Sequence, residues 1–181
     1  QPTKLTADDR KSGALRDTKL RNAWVFNDST DLVHTPVEEI GYDYTVSFYL
    51  YRADKANAGG RQQQLFSAAH STIWLNQKNT GNLGFSREGY DLSFDYQVPV
   101  KKWVHIVITG TNKGTALFVD GVAKDSLYNH FLQFNDKDKT KLRKIETLVF
   151  PLGRIGGFKG KLTGLTIYNK ALSRAQIAEL K

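Results

Sequence analysis

Lys102-Trp103-Val104-His105-Ile106-Val107-Ile108-Thr109-Gly110, followed by Ala116-Leu117-Phe118-Val119-Asp120-Gly121-Val122-Ala123-Lys124, decides how this chain is read. Both runs are rich in β-branched and aromatic residues and are bounded by Lys, Gly and Asp, as strands are. Asp120-Gly121 between two apolar segments is a dipeptide that a type I′ turn favours, because both of its central residues need positive φ. Asn112-Lys113-Gly114 punctuates the passage from the first run to the second. Residues 103–110, 116–119 and 122–124 are therefore expected to form a three-stranded meander.

The same texture extends in both directions. Upstream lie 23–26, 31–35, 44–50, 64–68, 72–76, 82–87 and 92–96, and downstream 147–150 and 162–168, each separated by Gly, Asn, Asp or Pro. About eleven strands spaced by roughly ten residues fit an antiparallel sandwich or barrel and not alternating βα units. A single helix is well specified. Ser173 followed by Gln176 has the spacing of a capping box, and Ala175, Ile177, Ala178 and Leu180 offer an apolar stripe for docking on the sandwich. Residues 1–22 are polar, without a steady period, and read as a leading arm with a weak helix over 7–15. Residues 23–181 read as one domain.

Composition narrows the chemistry. The chain has 181 residues, 40% hydrophobic and 12% aromatic, which suffices for one core without a metal or disulfide staple. With no cysteine there is no disulfide framework, thiol nucleophile, zinc knuckle or iron–sulfur cluster. No apolar run approaches the length of a membrane span. No initiating Met and no leader precede Gln1, so an export signal is expected outside this segment. Against 18 acidic residues stand 26 basic ones, a net +8. Lys137, Lys139, Lys141, Arg143 and Lys144 supply part of that excess and read as a solvated loop. They lack interleaved aromatics, and no recognition helix is present, so nucleic acid is not an expected partner.

Catalytic patterns do not assemble. Sandwich glucanases need carboxylates alternating along one strand so that all face one sugar. Glu88 with Asp91 and Asp95, and Glu38 with Glu39, are the nearest approximations, and parity or turn placement spoils both. His34, His70, His105 and His130 have no metal-binding spacing, and there is no G-x-S-x-G elbow. Gly153, Gly156 and Gly157 precede a strand, not a helix, and read as turn residues.

At this point the residues resemble a family. Lys102 to Ile108, Ala116 to Gly121, Gly153-Arg154-Ile155-Gly156-Gly157-Phe158-Lys159-Gly160-Lys161-Leu162 and Leu165 to Ser173 resemble the laminin-G-like branch of the concanavalin A-like lectin/glucanase superfamily, with coverage of about 23–181. Thr45-Val46-Ser47-Phe48-Tyr49-Leu50 resembles that family's early strand. The resemblance implies an all-β antiparallel jelly-roll sandwich with one short C-terminal helix. Gly81 to Asp91 is similar to the variant carried by secreted bacterial glycosidases such as family 20 β-hexosaminidases. It implies a non-catalytic carbohydrate-binding module, secreted or attached to the cell surface, whose partners are a glycan and the catalytic domain of the same polypeptide, with no nucleic acid and no membrane insertion. The alternative is a structural or protein-binding spacer, with a glucanase a distant third. No cofactor is implied beyond a structural calcium, and where the family commonly has an Asp near that ion this chain has Thr163.

Sugar recognition needs an aromatic face for the pyranose ring and planar polar groups for its hydroxyls. Residues 74–96 are richest in that mixture. Trp74, Asn76, Arg87, Tyr90 and Asp91 are the candidate ligand-binding residues. Tyr90, in a Glu-Gly-Tyr-Asp turn, is expected to be exposed. Arg87 and Asp91 can equally form a salt bridge across the hairpin. Trp103 and Trp24 read as core anchors.

Overall fold

The computed structural model describes residues 24–133 and 142–180. The leading arm with its helix over 7–15, and Lys137, Lys139 and Lys141, lie outside the described residues. Two six-stranded antiparallel sheets stack face to face, as the jelly-roll reading expects. The first sheet has the order β1 (Trp24–Phe26), β16 (Gly160–Tyr168), β4 (Tyr44–Arg52), β9 (Trp103–Gly110), β10 (Gly114–Val119) and β11 (Val122–Tyr128). The second has β2 (Leu32–His34), β15 (Arg154–Gly156), β5 (Gln64–Ser67), β6 (Ser71–Trp74), β7 (Gly84–Arg87) and β8 (Tyr90–Ser93). Two short pairs complete the described strands: β3 (Glu39–Ile40) with β14 (Phe150–Pro151), and β12 (His130–Gln133) with β13 (Leu142–Ile145).

The meander forms as expected. Strands β9, β10 and β11 are neighbours, and Asp120 and Gly121 both take positive φ, 50° and 83°. Alternation then sorts the faces. Val46, Phe48 and Leu50 point inward beside Val104, Ile106 and Ile108, and meet Phe66, Ile73, Phe85 and Ile155 of the second sheet. The Phe48 and Phe66 rings lie 5.2 Å apart at 68°, so the sheets interlock through edge-to-face aromatics. Trp103 has the opposite parity to Val104. It sits half-buried on the outer face beside Tyr51, 5.5 Å between rings, and is not the core anchor that its apolar strand suggested.

Helix α1 (Arg174–Ala178) starts on the expected capping box: the Ser173 hydroxyl accepts from the Gln176 amide and the Gln176 side chain accepts from the Ser173 amide. Ile177 is fully buried against Val107 and Phe118 on the outer face of the first sheet. Ala175 and Ala178 are exposed, so the docking stripe narrows to Ile177 with Leu172 and Leu180.

Candidate functional site

The hairpin of β7 and β8 turns at Glu88 and Gly89, both at positive φ, which pairs Ser86 with Asp91 and Arg87 with Tyr90. Neighbouring residues therefore serve opposite faces. Ser86 and Asp91 share the outer face of the second sheet with Thr72 and Trp74, because Thr72 pairs with Ser86 across β6 and β7. Trp74 lies opposite Gly84, where an added Cβ would stand only 2.4 Å from the Leu92 carbonyl oxygen.

Trp74 is half-buried and fixed in place. Its indole Nε1–H donates to Ser86 Oγ at 2.8 Å, and that hydroxyl donates to Asp91 Oδ1 at 2.6 Å. The chain uses the indole's one donor, so the ring can meet a ligand only through its face and edge. Asp91 is exposed and retains acceptor capacity beyond Ser86. The result is an aromatic surface held by hydrogen bonds among polar side chains, the mixture that a sugar ring and its hydroxyls require.

Asn76 follows β6 past buried Leu75, at the end of the sandwich. Its Oδ1 accepts from the Gln63 amide at 2.7 Å and its Nδ2 donates to the Lys55 carbonyl at 3.2 Å. There it lines a pocket of about 500 Å³ with Arg52, Lys55, Gly81 and Gln97.

Arg87 and Tyr90 are placed elsewhere. Arg87 donates to the Thr147 carbonyl and to Tyr42 Oη, and pairs with Glu146 at 3.3 Å. Tyr90 is half-buried: its hydroxyl donates to the Glu146 carbonyl at 2.8 Å and accepts from the Glu146 amide at 3.1 Å. Together they tie the hairpin to the segment before β14. The cross-hairpin salt bridge between Arg87 and Asp91 does not form, since β pairing puts the two on opposite faces. Trp74 and Asp91 thus share the outer face of the second sheet and Asn76 lies past the end of β6, while Arg87 and Tyr90 are engaged by the segment before β14.

A serine–histidine contact occurs on the other sheet. Ser47 Oγ lies 2.8 Å from His105 Nε2, with both residues buried. His105 Nδ1 has no partner, and Asp120 Oδ1 instead accepts from the His105 backbone amide at 2.9 Å. Tyr49 stacks over the imidazole with ring centroids 4.5 Å apart. A triad needs the carboxylate on the ring nitrogen and an open approach to the hydroxyl, and this arrangement has neither. Burial lowers the His105 pKa, partly offset by Asp120.

The described residues do not fit a structural calcium. Thr163 is fully buried with an unpartnered hydroxyl, and among the described residues no three of His, Cys, Asp and Glu converge. Calcium needs six or more oxygen ligands, and one neutral hydroxyl is a poor start.

Sequence reasoning missed Ser86, Arg52, Lys55 and Gln97. Ser86 was legible as the partner of Asp91 once the turn was placed at Glu88-Gly89. Arg52 had a clearer signal: it continues the inward series Val46, Phe48 and Leu50, where a cation breaks the pattern.

A family model described as the concanavalin A-like lectin/glucanases superfamily, laminin-G type, matches residues 27–178. No curated protein matches the chain. Among solved structures, the chain is similar to domain 4 of AbnA, a GH43 extracellular arabinanase from Geobacillus stearothermophilus, solved with arabinotriose. That likeness has 20% identity and a TM-score of 0.61 over 87% of this chain and 75% of that one. It is also similar to a heptameric SAP-like pentraxin from Limulus polyphemus, at 12% identity and a TM-score of 0.54, covering 86% and 79% of the two chains. The ligand-binding domain of botulinum neurotoxin serotype D, solved with N-acetylneuraminic acid, matches at 16% identity and a TM-score of 0.56 over 90% of this chain but only 44% of its own. At these identities the likenesses concern the fold.

Proposed function

Starting from a chain that belongs to the concanavalin A-like lectin/glucanase superfamily, we propose that it is a non-catalytic glycan-binding module, with Trp74 as its stacking surface. The observation that carries this reading is the chain from Trp74 through Ser86 to Asp91, which holds an aromatic ring at the surface among polar groups. A pyranose or furanose packs its apolar C–H face on the indole, and Asp91 accepts from its hydroxyls. Prior fixation of the indole lowers the ordering cost of binding. Two of the similar structures were solved with sugars, arabinotriose and N-acetylneuraminic acid, which supports the class of ligand.

The module's setting belongs to the same proposal. It serves a larger glycoside hydrolase, secreted or held at the cell surface, and raises that enzyme's local concentration on its polymer. The extracellular arabinanase that contains a domain of this fold is a precedent for the arrangement. Calorimetric titration with neutral and acidic oligosaccharides tests the reading. Trp74→Ala is expected to weaken the best ligand by about tenfold or more, the equivalent of about 1.4 kcal/mol. Undiminished binding by that variant, or no binding of any sugar at millimolar concentration by the parent chain, would overturn it.

A second reading, a protein-docking spacer, is favoured by one observation. Val122, Tyr128 and Phe131 are 65%, 68% and 62% exposed on β11 and β12, more apolar surface than these strands need if nothing meets them. Loss of activity on removal of the module from a parent enzyme, in the absence of sugar binding, distinguishes it.

A further inference from the structure

Arg52 is a cation in a place built for apolar side chains. It ends β4 on the inward row of Val46, Phe48 and Leu50, and only 5% of it is exposed. Its Nε–H donates to Gln63 Oε1 at 2.7 Å, Nη1 to the Val98 carbonyl at 2.8 Å and Nη2 to the Lys55 carbonyl at 2.6 Å. All three acceptors are neutral, and Arg52 forms no ion pair among the described residues. Three of its five N–H groups are thereby used, leaving two for something else. Burial alone holds its pKa below the ordinary arginine value, with no carboxylate to offset the cost. Buried charges are normally paired, so a buried cation surrounded only by dipoles is one charge short of balance.

Arg52 also lines the pocket of about 500 Å³ at the end of the sandwich, a size typical of small-ligand sites. Lys55 adds a second cation, Asn76 and Gln97 add amides, and no Asp or Glu lines it. Lys55 and Gln97 are exposed and able to move onto a ligand, whereas Arg52 and Asn76 are tied down by their hydrogen bonds. A parallel bridge between Arg52 and Val100, with the Lys101 amide donating to the Arg52 carbonyl at 2.7 Å, fixes the opposite wall. Departures from the apolar pattern that the surrounding structure over-determines in this way are characteristic of functional sites.

We propose that this pocket is an anion-selective subsite that takes the carboxylate or sulfate of an acidic sugar, with Arg52 and Lys55 facing the charged group and Asn76 and Gln97 its hydroxyls. This rests on the glycan-binding reading and adds to it the ligand class: a uronate-type or sulfated glycan whose next residue can lie toward Trp74, since Asn76 joins the two regions two positions along the chain.

Backbone-amide NMR titration of the chain with glucuronate, glucose and inorganic sulfate at matched ionic strength tests it. The expected result is saturable shifts at Lys55, Gly81 and Gln97 with glucuronate, at least about tenfold tighter than with glucose or sulfate, weakening as salt is added. Lys55→Gln, at an exposed position that leaves the fold intact, is expected to cost about threefold, the size of one exposed charge contact. Gln97→Ala should weaken glucuronate and leave sulfate unchanged. Equal affinity for glucose, or sulfate binding as tightly as glucuronate, overturns the acidic-sugar assignment. Shifts confined to the Trp74 indole and Ser86, without any at the pocket, overturn it while leaving the glycan-binding reading standing. Absence of neutral-sugar binding at Trp74 with the pocket shifts intact overturns Trp74 as the stacking surface and leaves the acidic-sugar assignment standing.

Discussion

The outer faces of the two sheets arise from the same alternation and end in opposite conditions. On the first sheet the outward residues of the central strands are drawn into the molecule. Thr45 is bonded to Lys170 and Leu172, Val107 and Phe118 lie under Ile177, Ser47 and His105 bind each other, and Tyr49 covers them. Tyr49 stacks on His105, Tyr51 meets Trp103, and Lys161 lies 5.2 Å over Tyr51. On the second sheet Trp74, Ser86 and Asp91, beside Thr72, keep a hydrogen-bonded surface that no helix covers among the described residues. Aromatic content therefore does not mark a ligand face. The face proposed for the ligand differs in that its aromatic has polar neighbours with capacity left over.

The largest effect should come from uncapping the closed face. Ile177→Ala removes the one fully buried side chain of α1 and is expected to cost about 2–4 kcal/mol. Thermal unfolding followed by circular dichroism would show it as a fall of about 2–4 °C per kcal/mol in a domain of this size. A change of less than about 1 kcal/mol would mean that α1 rests on the sheet without stabilising it. Ser173→Ala, which removes the cap and keeps the apolar contact, should cost about 1 kcal/mol by the same measurement. Glycan affinity should follow neither substitution, because both act on the covered face.

Acid probes that face through its buried imidazole. Burial lowers the folded-state pKa of His105 despite nearby Asp120. The unfolded chain therefore binds the proton first, with its histidine near about 6.5. The stability is present above that pH and is lost as the pH falls below it. Urea midpoints measured across this range should decline on the acid side, and His105→Gln should flatten the decline relative to the parent. A parallel decline in both would assign the effect to other groups. His34, His70 and His130 are all exposed and do not share this burial.

These contrasts also define what was readable in advance. The meander, its Asp120-Gly121 turn, the capping box and the two-sheet class follow from local chemistry: period two, positive-φ turn residues and a Ser-to-Gln spacing. Parity tells which residues travel together but not which set faces the core, so Trp103 at the head of the most apolar strand looked like an anchor and lies outside. Arg87 and Tyr90 were grouped with Trp74 by proximity in sequence. Their actual partners, Glu146 and Thr147, are 56 to 60 residues away, and no local pattern encodes that contact. β12 and β13 were missed because charged residues crowd their connection, and β3 because two residues carry no period.

The finest test separates the two faces of a single hairpin. Arg87 and Asp91 sit on strands joined by two residues, yet one binds the chain's own backbone and the other looks outward. Asp91→Asn keeps an acceptor for the Ser86 hydroxyl and so should hold Trp74 in place, shifting stability within about 0.5 kcal/mol. It removes the charge that strengthens hydrogen bonds from sugar hydroxyls, a difference of about 1 kcal/mol or about fivefold in affinity. Arg87→Ala should do the reverse: leave affinity unchanged and lower the unfolding midpoint, since it removes the ion pair with Glu146 and the hydrogen bonds to the Thr147 carbonyl and Tyr42 Oη, which then keep only each other. The side-chain shift of the Trp74 indole N–H, followed by NMR in each variant, checks that Asp91→Asn acts on the ligand and not on the ring. If Asp91→Asn displaces the indole, Asp91 is a support for Trp74 and the hydroxyl-reading role passes to groups nearer Asn76.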